Sequence, residues 1–115
     1  MKKDKIYLQH IYEAAGYIES FIGSMERDEF FKNNLVQSAV IRQLEIIGEA
    51  VKNLSGVLRR KYKEIPWSDI AGLRDKLIHG YFGVDLELVW KISTKNIPEL
   101  RSQISKILVE INSGD

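Results

Sequence analysis

The sequence predicts an all-α protein, an up-and-down bundle of four to five helices. Apolar residues recur at steps of three and four along most of the chain, which is helical rather than strand periodicity. Only two prolines and eight glycines interrupt these runs. The 115 residues suffice for one core, and 44% hydrophobic side chains are too many for a disordered chain. We therefore expect a single domain over residues 1–115.

The first predicted helix covers roughly residues 4–23 and should bury a broad face. Two adjacent stripes at helical spacing run along it: Leu8, Ile11, Ala15, Ile18 and Ile22, and beside them Tyr7, His10, Ala14, Tyr17 and Phe21. Two such stripes are typical of a helix that is buried over a wide arc. His10 is therefore expected as a hydrogen-bonded core or interface residue rather than a metal ligand.

The second predicted helix, about residues 29–55, is apolar around more than half of its circumference, which favours a central position. Gly48 costs about 1 kcal/mol of helix propensity relative to alanine, so it predicts close approach of another backbone. Glu45 and Glu49 lie one turn apart, with Arg42 within reach of Glu45. This pattern is typical of a solvated ionic face, although two carboxylates could also hold a divalent ion between helices.

A short third helix is predicted over about residues 67–78. Pro66 fits just before or at its start, Ser68 could cap it, and Gly80 should end it. The basic stretch that precedes it contains Arg59, Arg60 and Lys63. Trp67 is expected as a core or interface anchor.

The last part of the chain predicts two more helices. Asp85 is well placed to cap a fourth helix that carries Trp90, which we also expect as a core or interface anchor. Pro98 permits a bend or a fresh helix start. The final helix has an apolar side made of Ile97, Leu100, Ile104, Ile107, Leu108 and Ile111.

Composition excludes several classes of site. Seventeen basic against sixteen acidic residues give a formal charge of +1, so any site for a polyanion must be local. The absence of cysteine excludes disulfides, thiolate metal sites and cysteine nucleophiles, and two histidines alone make a zinc site improbable. Neither a signal peptide nor the roughly 18 apolar residues of a membrane span is recognisable. We expect a soluble cytoplasmic protein without metal or cofactor.

The residues able to do chemistry concentrate between Arg74 and Tyr81. On a continuous helix Asp75 and His79, four positions apart, nearly superpose, so the carboxylate could orient the imidazole. Arg74 and His79, five positions apart, splay by roughly 140°. They can act on one substrate only if the helix ends or bends at the histidine, as Gly80 allows, or if a twofold partner supplies second copies. Homodimerisation is therefore a functional prediction.

An arginine and a histidine suffice to cleave RNA without metal. Histidine can take a proton from one oxygen and give one to another, and the arginine fork stabilises the charge of a phosphoryl transition state. The ribose 2′-hydroxyl supplies the nucleophile. The spacing by itself is equally compatible with a histidine on the helix dipole and a surface arginine.

Segments around this motif extend the pattern from about Arg42 to Leu108. They read Ile-Ile-Gly-Glu-Ala, Ile-Pro-Trp-Ser-Asp-Ile-Ala-Gly-Leu, Arg-Asp-Lys-Leu-Ile-His-Gly-Tyr and Val-Asp-Leu-Glu-Leu-Val-Trp. Together they resemble the HepT-like branch of the HEPN superfamily. The resemblance implies a compact helical homodimer in which Arg74 and His79 line a cleft at the dimer interface and act as a metal-independent ribonuclease.

The resemblance also implies a regulatory role for Tyr81. Arg74, His79 and Tyr81 match the extended motif Arg-x4-His-x-Tyr of that family. Many members are toxins of type VII-like toxin–antitoxin systems, neutralised by MntA-like minimal nucleotidyltransferases that transfer AMP from ATP to the tyrosine. Added AMP would block the cleft by bulk and by charge. The other interpretation of Tyr81 is a packing residue in an aromatic turn with Phe82.

Two further points concern charge. Asp75 stands where that family often has asparagine, so it either orients His79 or weakens catalysis by repelling phosphate. Possible contacts to the RNA backbone come from Lys76, Arg59, Arg60 and Lys63, although a basic loop can also serve only solubility.

Two other functions remain compatible with the sequence. The bundle could be a non-catalytic HEPN module that binds a nucleotide or docks a partner nucleotidyltransferase, or a purely structural dimer.

Overall fold

A computed structural model describes residues 2–78 and 83–114 of the chain. These residues form the following helices: α1 (Lys2–Ile22), α2 (Arg27–Phe31), α3 (Asn34–Lys52), α4 (Gly56–Lys61), α5 (Trp67–Ala71), α6 (Leu73–Leu77), α7 (Leu86–Lys91), a π-helical turn (Ile92–Asn96) and α8 (Ile97–Gly114). The described residues contain no β-strand, only an isolated antiparallel bridge between Ile78 and Val84. The predicted all-α class is confirmed.

The second predicted helix is divided, and its boundaries were wrong. Asn33 interrupts it, because its side chain accepts a hydrogen bond of 3.0 Å from the Val36 N–H and so caps α3. At the other end α3 stops at Lys52, and Ser55 caps α4 by accepting from the Leu58 N–H at 3.1 Å. Most of the basic stretch, expected as a loop, therefore lies on a helix.

The third predicted helix is also divided, at Gly72, into α5 and α6. The cap expected from Ser68 is not formed; Pro66 occupies the N-cap position without a side-chain bond. The helix ends at Leu77, one residue before the predicted last residue Ile78, because Ile78 is extended.

The helix start predicted at Asp85 agrees with the structure. Asp85 caps α7 by accepting a hydrogen bond of 3.1 Å from the Leu88 N–H. Pro98 does not start a new helix: it lies in the first turn of α8, which continues the helical turns before it without a break. The π-helical turn precedes it, with the Ile97 N–H bonded to the Ile92 carbonyl.

Three long helices, α1, α3 and α8, make the core. α1 packs mainly on α3 and on α8; α2, α5 and α6 lie against α3, and α7 contacts α2 and α6. The largest fully buried side chains include Leu8, Ile11, Ile18, Leu44, Ile47 and Ile104. Full burial of such a side chain is worth about 1.5–3 kcal/mol, so this layer dominates the stability of the fold.

The two tryptophans are anchored in the core as expected. Trp67 is buried, and its indole N–H donates a hydrogen bond of 3.0 Å to the Tyr62 carbonyl. Trp90 is half-buried against Phe30, with ring centroids 5.3 Å apart. Both rings therefore serve packing.

The buried face of α1 is narrower than the sequence predicts. His10 is exposed and meets the edge of the Tyr7 ring, so of its two predicted places the core was wrong and the interface stays a prediction. Tyr17 and Phe21 are exposed as well and stack on each other with centroids 6.1 Å apart. Neighbouring helices cover the first stripe of α1 and, in the second stripe, Ala14 and part of Tyr7. None of the helices in the described residues has the length and hydrophobicity of a membrane span.

Candidate active site

Arg74 lies on the surface of α6, and an acidic residue from another helix contacts it. Its Nε is 3.5 Å from Oε2 of Glu45, which belongs to α3. The arginine side chain is 69% exposed, whereas that of Glu45 is only 24% exposed. The sequence suggested Arg42 as the partner of Glu45; in the described part of the chain the partner is Arg74. A surface guanidinium held at Nε can still present its terminal nitrogens to a phosphate.

Gly48 explains how α3 comes so near to the Arg74 segment. A Cβ at this position would lie 3.2 Å from the Ile70 carbonyl oxygen and 3.6 Å from that of Ala71. The close approach of another backbone that Gly48 predicted is confirmed. Since α6 follows α5 directly after Gly72, this contact brings Arg74 to the side of α3 that carries Glu45, one turn before Gly48.

Asp75 and Lys76 follow Arg74 on α6, and both side chains are exposed. Lys76 Nζ is 3.3 Å from Oδ1 of Asp69 on α5, so this predicted RNA contact has an intramolecular partner. Both members of the pair face water, where such a pair is worth at most about 1 kcal/mol and can open easily.

His79 and Tyr81 lie outside the described residues. The predicted superposition of Asp75 and His79 required one continuous helix from 75 to 79. This requirement is not met, because α6 ends at Leu77 and Ile78 is extended. The Asp85 N–H donates to the Leu77 carbonyl at 2.9 Å, so the chain leaves and returns beside the end of α6. A helix that ends before the histidine is the condition under which Arg74 and His79 of one chain could act together.

The basic stretch faces an open hollow of about 490 Å³. Arg59, Arg60 and Lys63 form one side of it, and Trp67 to Asp69 at the start of α5 form the other. The hollow thus ends at Asp69, the residue that pairs with Lys76. The four predicted backbone contacts therefore belong to one continuous part of the surface.

Tyr62 lies within the basic stretch but does not share its role. Its ring is buried, and its hydroxyl donates a hydrogen bond to the Glu110 carboxylate on α8. Burial, the hydrogen bond to Glu110 and the negative charges of Glu110 and Glu64 raise the pKa of Tyr62 to about 12. This tyrosine fixes α4 to α8.

The two glutamates of α3 have separate partners. Glu49 is 67% exposed and pairs with Lys52 at 3.3 Å, on the same helix. Glu45 pairs across to α6. In residues 2–78 and 83–114 no group of three or more histidine and acidic side chains is arranged as metal ligands.

The sequence did not predict the contact between Glu45 and Arg74, because only ion pairs within one helix can be recognised from residue spacing. The available signal was Gly48, which predicted a second backbone one turn from Glu45.

Comparison with protein families gives a match over most of the chain. Residues 11–107 match the family described as Ribonuclease HepT-like. The chain belongs to the HepT-like ribonuclease family. The resemblance drawn from its motifs is thereby confirmed, and membership in a ribonuclease family implies an RNA substrate.

Named relatives of the family come from archaea and bacteria. "Gamma-glutamylcyclotransferase and putative RNase" from Methanocaldococcus jannaschii is 50% identical over 99% of this chain and 52% of its own. The chain spans about half the length of that relative. "Putative RNase" from Caldanaerobacter subterraneus subsp. tengcongensis is 44% identical, over 94% of this chain and 96% of its own. "Probable ribonuclease HepT" from Thermococcus cleftensis is also 44% identical, over 92% and 96%. No solved structure shows a significant match.

Proposed function

We propose that the chain is a metal-independent endoribonuclease in which Arg74 and His79 act on the scissile phosphate. The observation that carries this proposal is the guanidinium of Arg74, which is exposed to solvent and in contact with Glu45 near the start of α6. A structural arginine would be expected to bury its contacts, whereas this one faces the space where a substrate could lie.

The reaction needs only two proton transfers and one charge clamp. An imidazole of His79 removes the proton of the ribose 2′-hydroxyl, and the 2′-oxygen attacks phosphorus. The bond to the 5′-oxygen breaks, and that oxygen takes a proton from an imidazolium. The products are a 2′,3′-cyclic phosphate and a 5′-hydroxyl. Arg74 stabilises the additional negative charge on the phosphoryl oxygens. Asp75 stays the proposed orienting group for the imidazole, but not through helical stacking, because α6 ends at Leu77.

A homodimer would supply two imidazoles to one cleft, one as base and one as acid. The exposed stripe of α1 supports such an assembly, because Ile6 and the stacked pair Tyr17 and Phe21 leave apolar surface in water. Tyr17→Lys should then shift the mass measured by light scattering towards the monomer. An unchanged mass would remove this surface as the interface.

Backbone contacts to RNA are proposed for Arg59, Arg60, Lys63 and Lys76. The logarithm of the RNA association constant falls with log[salt], and each lost phosphate contact makes this slope less steep by about 1. Arg60→Gln should therefore weaken binding of all RNA sequences alike and flatten the salt dependence. Unchanged affinity and slope would assign the residue to solubility.

Cleavage is tested with the two histidines of the chain as a matched pair. With purified protein in EDTA, wild type should cut RNA to 2′,3′-cyclic phosphate ends, and His79→Ala should cut at least 100-fold more slowly. His10 lies on the exposed side of α1 that is proposed as the dimer interface, so the control includes its mass by light scattering: His10→Ala with the mass of wild type should cut like wild type. Equal rates for His79→Ala and wild type would overturn the ribonuclease assignment.

We further propose that the chain is the toxin of a two-component system and that AMP transfer to Tyr81 silences it. Incubation with ATP and an MntA-like nucleotidyltransferase should add the mass of AMP to wild type and to Tyr7→Phe, but not to Tyr81→Phe. Modified protein should no longer cleave RNA or inhibit growth. An undiminished mass gain in Tyr81→Phe would place the modification elsewhere.

A further inference from the structure

We infer that Glu45 is a positioning residue for Arg74: the carboxylate fixed on α3 holds the guanidinium at Nε so that its outer edge faces the substrate phosphate. This inference rests on the ribonuclease function proposed above. It adds a residue from the central helix to the site.

The two partners differ in how firmly the fold holds them. Glu45 belongs to a helix of 19 residues, and its neighbours Leu44 and Ile47 are fully buried in the core. Arg74 belongs to a helix of five residues and has a long, exposed side chain. The carboxylate is therefore the fixed point of the pair. Holding the arginine before the substrate arrives reduces the rotamer entropy lost when it grips a phosphate.

The ion pair between Glu45 and Arg74 is not explained by its contribution to the stability of the fold. An ion pair with a largely exposed partner contributes little to folding, because water screens the charges. A carboxylate beside a polyanion site also repels the substrate. Glu45 can therefore favour catalysis only if it improves phosphate binding by Arg74 more than it repels RNA. Positioning can do this, because the contact at Nε does not use the terminal nitrogens that bind phosphate.

The opposing effects of the carboxylate give the inference a distinctive kinetic signature. Glu45→Gln keeps the shape of the side chain but removes its charge. Repulsion of RNA should fall, so KM should stay the same or decrease. The phosphate clamp should lose its orientation, so kcat should fall by about 10-fold or more, a size typical of lost support behind a functional group. A merely structural role would not separate kcat from KM in this direction.

Glu49 provides the matched control, since it lies one turn further along α3. Its partner is Lys52 on the same helix, and both side chains are mostly exposed. Glu49→Gln removes the same charge from the same helix without touching Arg74. Cleavage by this variant should match that of wild type.

A double-mutant cycle tests whether Glu45 acts through Arg74. Single-turnover cleavage in EDTA would be measured for wild type, Glu45→Gln, Arg74→Lys and the double variant. The double variant should cleave no more slowly than Arg74→Lys, because the arginine that Glu45 positions is already absent. Multiplicative losses, or equal kcat in Glu45→Gln and Glu49→Gln, would overturn the inference while leaving the ribonuclease function intact.

A readout without activity separates the two proposals. In NMR spectra the Arg74 Nε–H signal should change its chemical shift in Glu45→Gln, whereas in Glu49→Gln it should stay at the wild-type position. Identical shifts in all three proteins would overturn the positioning role. A shift change in Glu45→Gln, together with wild type that does not cleave RNA, would instead overturn the proposed function.

Discussion

The three long helices and the segment that joins α3 to α8 are built on different physical principles. α1, α3 and α8 have 18 to 21 residues each and bury aliphatic side chains against one another. Of the intervening helices, α4, α5 and α6 have five or six residues each, whereas α7 continues through the π-helical turn into α8. Isolated helices shorter than about 12–15 residues are marginal in water, so tertiary contacts must hold α4, α5 and α6 in place. The bundle thus provides rigidity, and the short helices present the basic side chains of the candidate site.

Besides the pair of Glu45 and Arg74, three further contacts of the described residues join the short helices to the long ones. Asp4 accepts hydrogen bonds from the backbone N–H and the hydroxyl of Ser55, at 2.8 and 2.7 Å, and so holds the start of α4. Tyr62 bonds to Glu110 of α8. Gly48 admits the backbone of α5. Substitutions in the core and at these contacts should therefore differ in size and in kind.

The largest loss of stability is expected in the core itself. Leu44→Ala removes a fully buried side chain of α3 and should lower the free energy of unfolding by about 3 kcal/mol. Leu35→Ala changes the same residue type on the same helix, but Leu35 is 80% exposed and should cost less than about 0.5 kcal/mol. Urea denaturation measures both. Similar losses in the two variants would contradict the assignment of α3 to the core.

The next largest effect is expected at the contact between Asp4 and Ser55. Asp4 is 2% exposed, and Asp4→Ala leaves the half-buried Ser55 N–H without its acceptor. The free energy of unfolding should fall by about 2 kcal/mol. Asp28→Ala, which removes an exposed carboxylate from α2, is the control and should change it little. Equal effects in thermal and urea denaturation would show that Asp4 does not hold α4.

Tyr62→Phe should cost about 1 kcal/mol, because it removes one hydrogen bond between α4 and α8. The pH dependence is more specific. The pKa of Tyr62 is raised in the fold to about 12, above its ordinary value of 10, so its contribution to stability is complete below pH 10 and is lost as the pH rises through 12.

Unfolding of wild type and Tyr62→Phe, compared between pH 9 and 12, tests this contribution to stability. The difference between the two proteins should shrink above pH 10. A difference that stays constant would contradict a raised pKa at Tyr62.

The smallest change in stability is expected for Gly48→Ala. The gain of about 1 kcal/mol in helix propensity is opposed by a Cβ placed 3.2 Å from the Ile70 carbonyl oxygen, which requires α5 to move slightly. Unfolding should change by less than about 1 kcal/mol, whereas RNA cleavage should fall because Arg74 moves with α5.

Gly16→Ala on α1 is the control for that substitution. Its Cβ would meet Arg101 only at 3.5 Å or more, so stability should rise and cleavage should not change. Equal cleavage by Gly48→Ala and Gly16→Ala would show that the contact between α3 and α5 at Gly48 does not affect the active site.

The sequence predicts the bundle better than the short helices, for a physical reason. Long amphipathic stripes and the capping carboxylate of Asp85 are local signals, and the structure agrees with both. The break at Asn33 and the helix end at Leu77 are not visible in apolar periodicity, which continues through both positions. The contact of Glu45 with Arg74 depends on tertiary approach, for which Gly48 gave only an indirect indication.

The most direct test of this account measures RNA cleavage and unfolding on the same preparation of Arg74→Ala. The arginine lies outside the core, so unfolding should change by no more than about 0.5 kcal/mol. Cleavage in EDTA should fall at least 100-fold, because the transition-state charge loses its clamp. Cleavage at the wild-type rate, or a loss of activity explained by unfolding, would contradict the claim that Arg74 serves chemistry rather than the fold.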